Sequence, residues 1–369
     1  MRIPLSGPDI TQAEKDAVCE VLSSGALSLG PRVPAFEEAV ANYVGVRHAI
    51  AVSSGTTGLH LLVRAMGIGA GDEVITTPFS FVASSNCAMF EKARPVFVDI
   101  DPDTWNIDIG RMAAAVTPRT KALIPVDVFG TTPDMDAVRA LATRHNLRVI
   151  EDSCEALGAK YKGRMAGSLG DAGVYGFYPN KQITTGEGGM IVTNDDEIDR
   201  LCRSMRNQGR DTGMGWLSHE RLGYNYRLSD VNCAIGHVQM QRINEILAKR
   251  DRVADWYRQR LSSESRLTLQ KISPDCRISW FVFVVKLADR YSEDDRGRLI
   301  AALRERGIGC SNYFAPIHLQ SFYRREYGYK PGDFPVCERV AARTIALPFH
   351  GNITESQVDE VCTTLKSLL

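Results

Sequence analysis

A lysine set among turn formers and glycines is the strongest chemical signal in the chain: Gly176-Phe177-Tyr178-Pro179-Asn180-Lys181-Gln182-Ile183-Thr184-Thr185-Gly186-Glu187-Gly188-Gly189. Upstream, the apolar run Leu147-Arg148-Val149-Ile150 ends in Glu151-Asp152. Glycines let backbone approach a bulky neighbour, and an ammonium crowded in this way loses water and gives up its proton more readily. A neutral amine can form a Schiff base with an aldehyde. A carboxylate at a strand end can keep a pyridine nitrogen protonated, so that the ring accepts electrons. Lys181 and Asp152 are therefore the candidate catalytic pair, and pyridoxal phosphate is the candidate cofactor. A lone lysine is ordinarily a solvated cation and an Asp often just starts a turn. The order of the two, acid at a strand end and then lysine in a Gly-rich turn, carries the chemical reading.

Elements to position such a pair are legible along the first two-thirds of the chain. Short apolar strands are predicted at His48–Val52, Glu73–Thr76, Pro95–Val98, Lys121–Val126, Leu147–Ile150, Asp171–Phe177 and Gly189–Val192. Helix-period stretches lie between them, such as Thr57–Met66 and Asp134–His145, the latter with Pro133 just ahead. Strand–helix alternation with nearly continuous apolar strands predicts an α/β fold, its mostly parallel sheet covered on both faces. From Ser229 to Leu261 apolar residues recur at helical spacing without a proline, which predicts one long helix leading to a second domain. The remainder holds a Trp280–Lys286 strand, an Arg296–Arg306 helix stopped at Gly307, and a closing helix from Glu355. The expected division is a large cofactor-binding domain over 1–250 and a small α+β domain over 251–369.

Bulk properties exclude several classes. The chain has 369 residues, with 44 basic and 44 acidic side chains, so no net field favours nucleic acid or an anionic membrane. Its longest apolar runs are strand-sized, too short to span a bilayer, and the N-terminus has no apolar signal segment. Nine cysteines lack any C-x-x-C pair or matching histidine spacing, which predicts reduced thiols in a cytoplasmic protein without a metal site. The cluster Gly67-Ile68-Gly69-Ala70-Gly71 does not fit a dinucleotide fingerprint, which weighs against a nicotinamide oxidoreductase.

Further candidates surround the pair. Ser53-Ser54-Gly55-Thr56-Thr57-Gly58 follows a strand and opens a helix, where free N–H groups and the helix dipole favour a phosphate; an ordinary N-cap has the same composition. Glu155 lies three residues past Asp152, either near the cofactor and substrate or on a helix face. Arg227 is either a ligand or half of a salt bridge. His318 is either a substrate group or a buried hydrogen-bonder.

Read together, these segments and Leu222-Gly223-Tyr224-Asn225-Tyr226-Arg227 resemble the DegT/DnrJ/EryC1/StrS aminotransferases, enzymes of fold-type I. The resemblance runs from Ile3 nearly to the C-terminus. It implies a seven-stranded, mostly parallel sheet, a small C-terminal domain and a homodimer with shared active sites. It implies amino transfer from glutamate, leaving 2-oxoglutarate, to a keto-sugar carried on a nucleotide. Lys181 would hold the cofactor and shuttle the proton, Asp152 would face the ring nitrogen, and Gly55 and Thr56 would bind phosphate. Phe81 rather than Phe79 would stack on the ring, and Asn225 would reach the phosphate in the partner subunit. Tyr313-Phe314-Ala315-Pro316-Ile317-His318 resembles the segment lining the sugar side. Glu155 is similar to a subset that includes perosamine-type synthases, which leans the reading toward a 4-keto-6-deoxy sugar. Most relatives carry Ser at the position of Gly176, so that phosphate contact is missing here. A cyclitol or related ring as acceptor, and a cofactor-binding regulatory protein without turnover, are the alternative readings.

Overall fold

A computed structural model of the chain describes residues 2–211, 213, 215 and 217–369. Nine strands fall in its first two-thirds: β1 (His48–Val52), β2 (Glu73–Thr76), β3 (Arg94–Phe97), β4 (Thr120–Leu123), β5 (Arg148–Asp152), β6 (Lys160–Tyr161), β7 (Arg164–Met165), β8 (Ala172–Gly176) and β9 (Gly189–Thr193). Seven of them form one sheet in the order β1-β9-β8-β5-β4-β2-β3. Only β9 runs antiparallel to its neighbours; the β8–β5–β4–β2–β3 pairings are all parallel. Parallel pairing needs crossover helices, and these bury both faces of the sheet. One apolar core holds Leu59, Leu62, Val174 and Ile191, and another holds Phe36, Phe177, Met190 and Val192. The mostly parallel α/β sheet expected from the sequence is the one observed.

Helix boundaries follow their caps. The helix Gly55–Ala65 starts where the Ser54 hydroxyl accepts a bond from the Thr57 N–H, two residues ahead of the expected start. Its Gly58 lies so close to β8 that a Cβ there would sit 2.8 Å from Val174 Cγ1. Met135–His145 is capped by Asp134, whose Oδ1 accepts from the Ala137 N–H at 3.1 Å, so Pro133 stands outside the helix.

The single long helix expected over 229–261 is two helices, Asp230–Gln241 and Ile243–Leu261. The break falls at Arg242 (φ −104°, ψ 5°), whose guanidinium is drawn to Asp9 at 3.1 Å and Glu14 at 2.7 Å. Apolar periodicity carries through this corner because both helices bury a face, so the sequence pattern does not register it.

Ile243–Leu261 spans two cores. Ile243, Ile246 and Leu247 pack with the large sheet, whereas Val253, Ala254, Tyr257 and Leu261 pack with the C-terminal residues. That second core lies on an antiparallel sheet of strands β10 (Leu267–Leu269), β12 (Phe283–Leu287) and β13 (Thr344–Leu347), in the order β10-β12-β13. Helices Glu293–Glu305 and Glu355–Leu368 cover it, and Ile3 joins it from the N-terminus through a bridge to Ile308. A third small sheet links β11 (Cys276–Arg277) to β6 and β7. No helix among the described residues is long and apolar enough to cross a membrane.

Candidate active site

Strand β5 ends at Asp152, at the edge of the sheet where the parallel strands finish together. The Asp152 side chain is buried, with Oδ2 accepting a 2.6 Å bond from Ser84 Oγ and Oδ1 a 3.3 Å bond from the Cys154 N–H. Both donors are neutral. Among the described residues no cation pairs with this carboxylate, and a buried carboxylate of that kind favours a cationic ligand.

Lys181 comes from the loop between β8 and β9. That loop is closed by Phe177 N–H to Gly188 O at 2.9 Å, Thr185 N–H to Phe177 O at 3.1 Å, and Lys181 N–H to Tyr178 O at 2.9 Å. Gly189 brings the end of the loop against the Ser54 carbonyl carbon, which a Cβ would meet at 2.5 Å. The lysine turn and the first turn of the helix Gly55–Ala65 are thereby pressed together. Lys181 Nζ sits 3.5 Å from Glu155 Oε1 and 4.0 Å from the centre of the Phe281 ring. Burial pushes the Glu155 carboxyl up; the Lys181 charge and the Phe129 N–H, which Oε2 accepts at 3.0 Å, work against that. Glu155 therefore faces the lysine amine instead of lying on a helix face.

At the first turn of Gly55–Ala65, a Cβ on Gly55 would lie 2.6 Å from Cys154 Sγ and 3.6 Å from the Gly176 Cα. Gly55, Gly176 and the residue two past Asp152 thus meet at one point. The first N–H groups of any helix lack intrahelical acceptors, so an anion has donors there. Phe79 is fully buried against Phe129 and Phe314, whereas Phe81 is 62% exposed and one turn ahead of Ser84. An exposed phenyl beside the hydroxyl that orients Asp152 is placed to cover a flat ring. The carboxylate, lysine, helix terminus and phenyl together fit pyridoxal phosphate in chemistry and in relative placement.

The substrate candidates divide. The Tyr313 hydroxyl accepts a 3.4 Å bond from Asn180 Nδ2 next to the lysine, and the Tyr313 ring lies 6.1 Å from Phe281. Asn180 Oδ1 is buried without a partner among the described residues, which leaves an acceptor inside the site. His318 is fully buried, with Nε2 3.0 Å from Glu338 and its ring against Phe334, and burial holds its imidazole below the usual range. Its ring contacts are with Phe334 and Tyr329. Asn225 is exposed, and its segment is strapped to the body by a bridge to Asn207 and by Ser53 N–H to Tyr226 O at 2.8 Å. Arg227 bonds the Asn207 amide oxygen at 3.0 Å, and no salt bridge forms at it among the described residues.

Ser84, Phe129 and Phe281 were not singled out by sequence. Ser84 had a usable signal, a hydroxyl one helical turn past Phe81. Phe281 lies in an apolar run that reads as core, and Phe129 takes a left-handed conformation (φ 58°) that nothing local announces. No group of three or more potential metal ligands occurs among the described residues.

Further acids lie behind Asp152. Burial, joined by the charges of Glu151, Asp152 and Glu155, pushes Asp127 well above the carboxylate range, against the 2.6 Å bond from Ser153 Oγ. With the folded carboxyl raised above the unfolded one, folding takes up a proton at pH values between the two, so stability falls as pH rises through that interval. Asparagine needs no proton. Asp127→Asn should therefore gain in melting temperature relative to the parent as pH rises above the ordinary carboxylate range, the gap widening by up to about 1.4 kcal/mol per pH unit. Thermal melts of both proteins across that range test it, and a gap independent of pH would count against it.

A sheet of this order, with a buried carboxylate at the end of β5 and a lysine on the loop between β8 and β9, is that of the fold-type I aminotransferases. The model of the DegT/DnrJ/EryC1/StrS aminotransferase family matches residues 8–366, and the chain belongs to that family. GDP-perosamine synthase of Caulobacter vibrioides is 40% identical over 370 aligned positions, covering 100% of this chain and 98% of its own. Helicobacter pylori PseC, an aminotransferase involved in the biosynthesis of pseudoaminic acid, superposes with a TM-score of 0.94 at 29% identity, covering 100% of this chain and 99% of its own. Spr1654 of Streptococcus pneumoniae, solved in PLP and PMP forms, superposes with a TM-score of 0.94 at 26% identity; the PLP form covers 100% of this chain and 98% of its own.

Proposed function

We propose that this aminotransferase moves an amino group from glutamate to a keto-sugar carried on a nucleotide, with pyridoxal phosphate as cofactor and Lys181 and Asp152 as catalytic residues. The observation that carries the reading is that the residues following the buried Asp152 meet both the Lys181 amine, through Glu155, and the first turn of the helix Gly55–Ala65, through Cys154. The cofactor, when bound, supplies an electron sink for negative charge developing on the substrate carbon. Asp152, oriented by Ser84, holds a positive charge on the ring nitrogen. Lys181 carries a proton to and from the substrate carbon, and Glu155 lies close enough to exchange one with it. Phe81 excludes water from one ring face, while Tyr313 and Asn180 line the substrate side.

A 4-keto-6-deoxy sugar is the favoured acceptor, supported by Glu155 and by the likeness to a GDP-perosamine synthase. The working unit is a homodimer in which Asn225 and Arg227 reach the partner subunit's site; Asn225 is exposed, and Arg227 is half-buried against Asn207. The large and small domains divide near residue 250, within the helix that serves both cores. The test is incubation of the purified protein with pyridoxal phosphate, glutamate and GDP- or dTDP-linked 4-keto-6-deoxyhexose. Mass spectrometry should find an amine in place of the ketone and one 2-oxoglutarate per product. Amination of a cyclitol ketone, but of neither sugar, would overturn the sugar assignment.

Gly176 gives a second test. A Cβ there would lie 3.4 Å from Cys154 Cβ, an ordinary contact, so a serine fits. Its hydroxyl would add a donor at the phosphate, worth about 1.5–3 kcal/mol for a bond to a charged group, hence about tenfold or more in affinity. Gly176→Ser should bind pyridoxal phosphate correspondingly tighter in fluorescence titrations. Unchanged affinity would place the phosphate elsewhere.

A further inference from the structure

Arg250 is a charged side chain buried where charge is costly. It is 3% exposed, in the middle of the helix Ile243–Leu261, between the residues that pack on the large sheet and those that pack on the small one. Burial pulls its guanidinium down to about 10, so it still carries its charge at neutral pH. Among the described residues it pairs with no carboxylate. Its bonds go to main-chain oxygens: Nη2 to Lys181 O at 2.6 Å, and Nη1 to Phe281 O at 3.2 Å and Trp280 O at 3.3 Å. The Phe349 ring lies 5.7 Å from its guanidinium.

The two residues gripped from either side of that fork are the same two whose side chains meet, since Lys181 Nζ rests 4.0 Å over the Phe281 ring. The neighbouring Gln182 ties Glu155 O and Ser279 O together, so each partner of the lysine amine is joined to the lysine turn by its own cross-link. A buried cation held only by carbonyls is a poor source of stability. It is a good source of geometry, because a planar fork fixes two acceptors relative to each other and an ammonium cannot reproduce that.

We propose that Arg250 is a positioning residue for the reaction, acting through Lys181: it locks the lysine main chain to that of Phe281, whose ring seats the lysine amine when the amine is not bonded to the cofactor. This rests on the assignment of Lys181 as the reactive amine. Nothing in the chain's sequence marks it, since Arg250 follows Lys249 in an ordinary basic helix.

The experiment measures how fast pyridoxal phosphate attaches to Lys181 in cofactor-free protein. The bond is trapped by borohydride at timed intervals and located by peptide mass spectrometry, in parallel with thermal melts and steady-state kinetics. Arg250→Lys keeps the charge but cannot span both carbonyls. It should slow trapping at Lys181 by about tenfold or more and lower kcat to match, with KM for glutamate little changed, as expected for a misplaced reacting group. Phe281→Leu keeps an apolar side chain and removes the ring; it should slow trapping several-fold with the melt nearly unchanged. If Arg250→Lys does not fold, Phe281→Leu decides. Trapping at the parent rate in a folded Arg250→Lys protein, or in Phe281→Leu when that variant decides, overturns the proposal. Absence of trapping at Lys181 in the parent instead overturns the assignment of the lysine.

Discussion

Lys181→Ala is expected to abolish amino transfer, lowering turnover by at least about 10⁴-fold, because a single group both attaches the cofactor and moves the proton. The fold should survive. The Lys181 side chain takes no part in closing its loop, which main-chain bonds and the Thr184 and Thr185 hydroxyls hold, and its own contacts are with Glu155 and Phe281. Losing the amine leaves the Glu155 carboxyl without its opposite charge, and burial already pushes that carboxyl up, so it takes a proton at a modest cost. Melting temperature should therefore change little while activity with glutamate disappears. Added small amines should restore a trace of turnover by acting as the missing base. Activity of Lys181→Ala within tenfold of the parent would show that another group does the chemistry.

Asp152→Asn is expected to have the next largest effect. The buried carboxylate accepts from the Ser84 hydroxyl and the Cys154 amide, and among the described residues no cation pairs with it. Asparagine preserves shape and can still accept from Ser84, but it does not hold a proton on the ring nitrogen facing it. Removing one preorganised electrostatic contact of this kind costs on the order of 10²–10³-fold in rate. Stopped-flow single turnovers with glutamate, and separately with the sugar acceptor, should both slow by that factor. Cofactor affinity should fall much less, since the phosphate contacts at Gly55 and Thr56 are untouched. Near-normal single-turnover rates would remove Asp152 from the mechanism. Ser84→Ala should lie between the parent and Asp152→Asn, because it frees the carboxylate to turn without deleting its charge.

Much of this site is written in contiguous residues. The turn around Lys181, the strand end at Asp152 and the helix start at Gly55 are each local patterns, and each reflects backbone that must lie close to something. Sheet class was legible for the same reason, since strands buried on both faces are apolar throughout and need no partner to be recognised. Contacts between distant segments were not legible. Ser84 reaches Asp152, and Arg250 and Phe281 reach Lys181, across separations that only the folded sheet closes. Their residue types also read as something commoner: helix hydroxyl, surface cation, core aromatic. The corner at Arg242 escaped for a related reason. Its cause is a pair of carboxylates, Asp9 and Glu14, brought from the opposite end of the chain. His318 shows the converse, a residue whose type suggests chemistry but whose complete burial against Phe334 and Glu338 gives it packing work.

The central claim is that the Lys181 amine takes up pyridoxal phosphate and releases it on meeting an amino donor. Its most direct test is the visible absorbance of the purified protein, reconstituted with pyridoxal phosphate and freed of excess, before and after addition of glutamate. The reconstituted protein should be yellow, lose that colour on adding glutamate with release of one 2-oxoglutarate per site, and regain it when 2-oxoglutarate is supplied. A protein that stays colourless with pyridoxal phosphate, or one whose yellow band glutamate leaves unchanged, would contradict it.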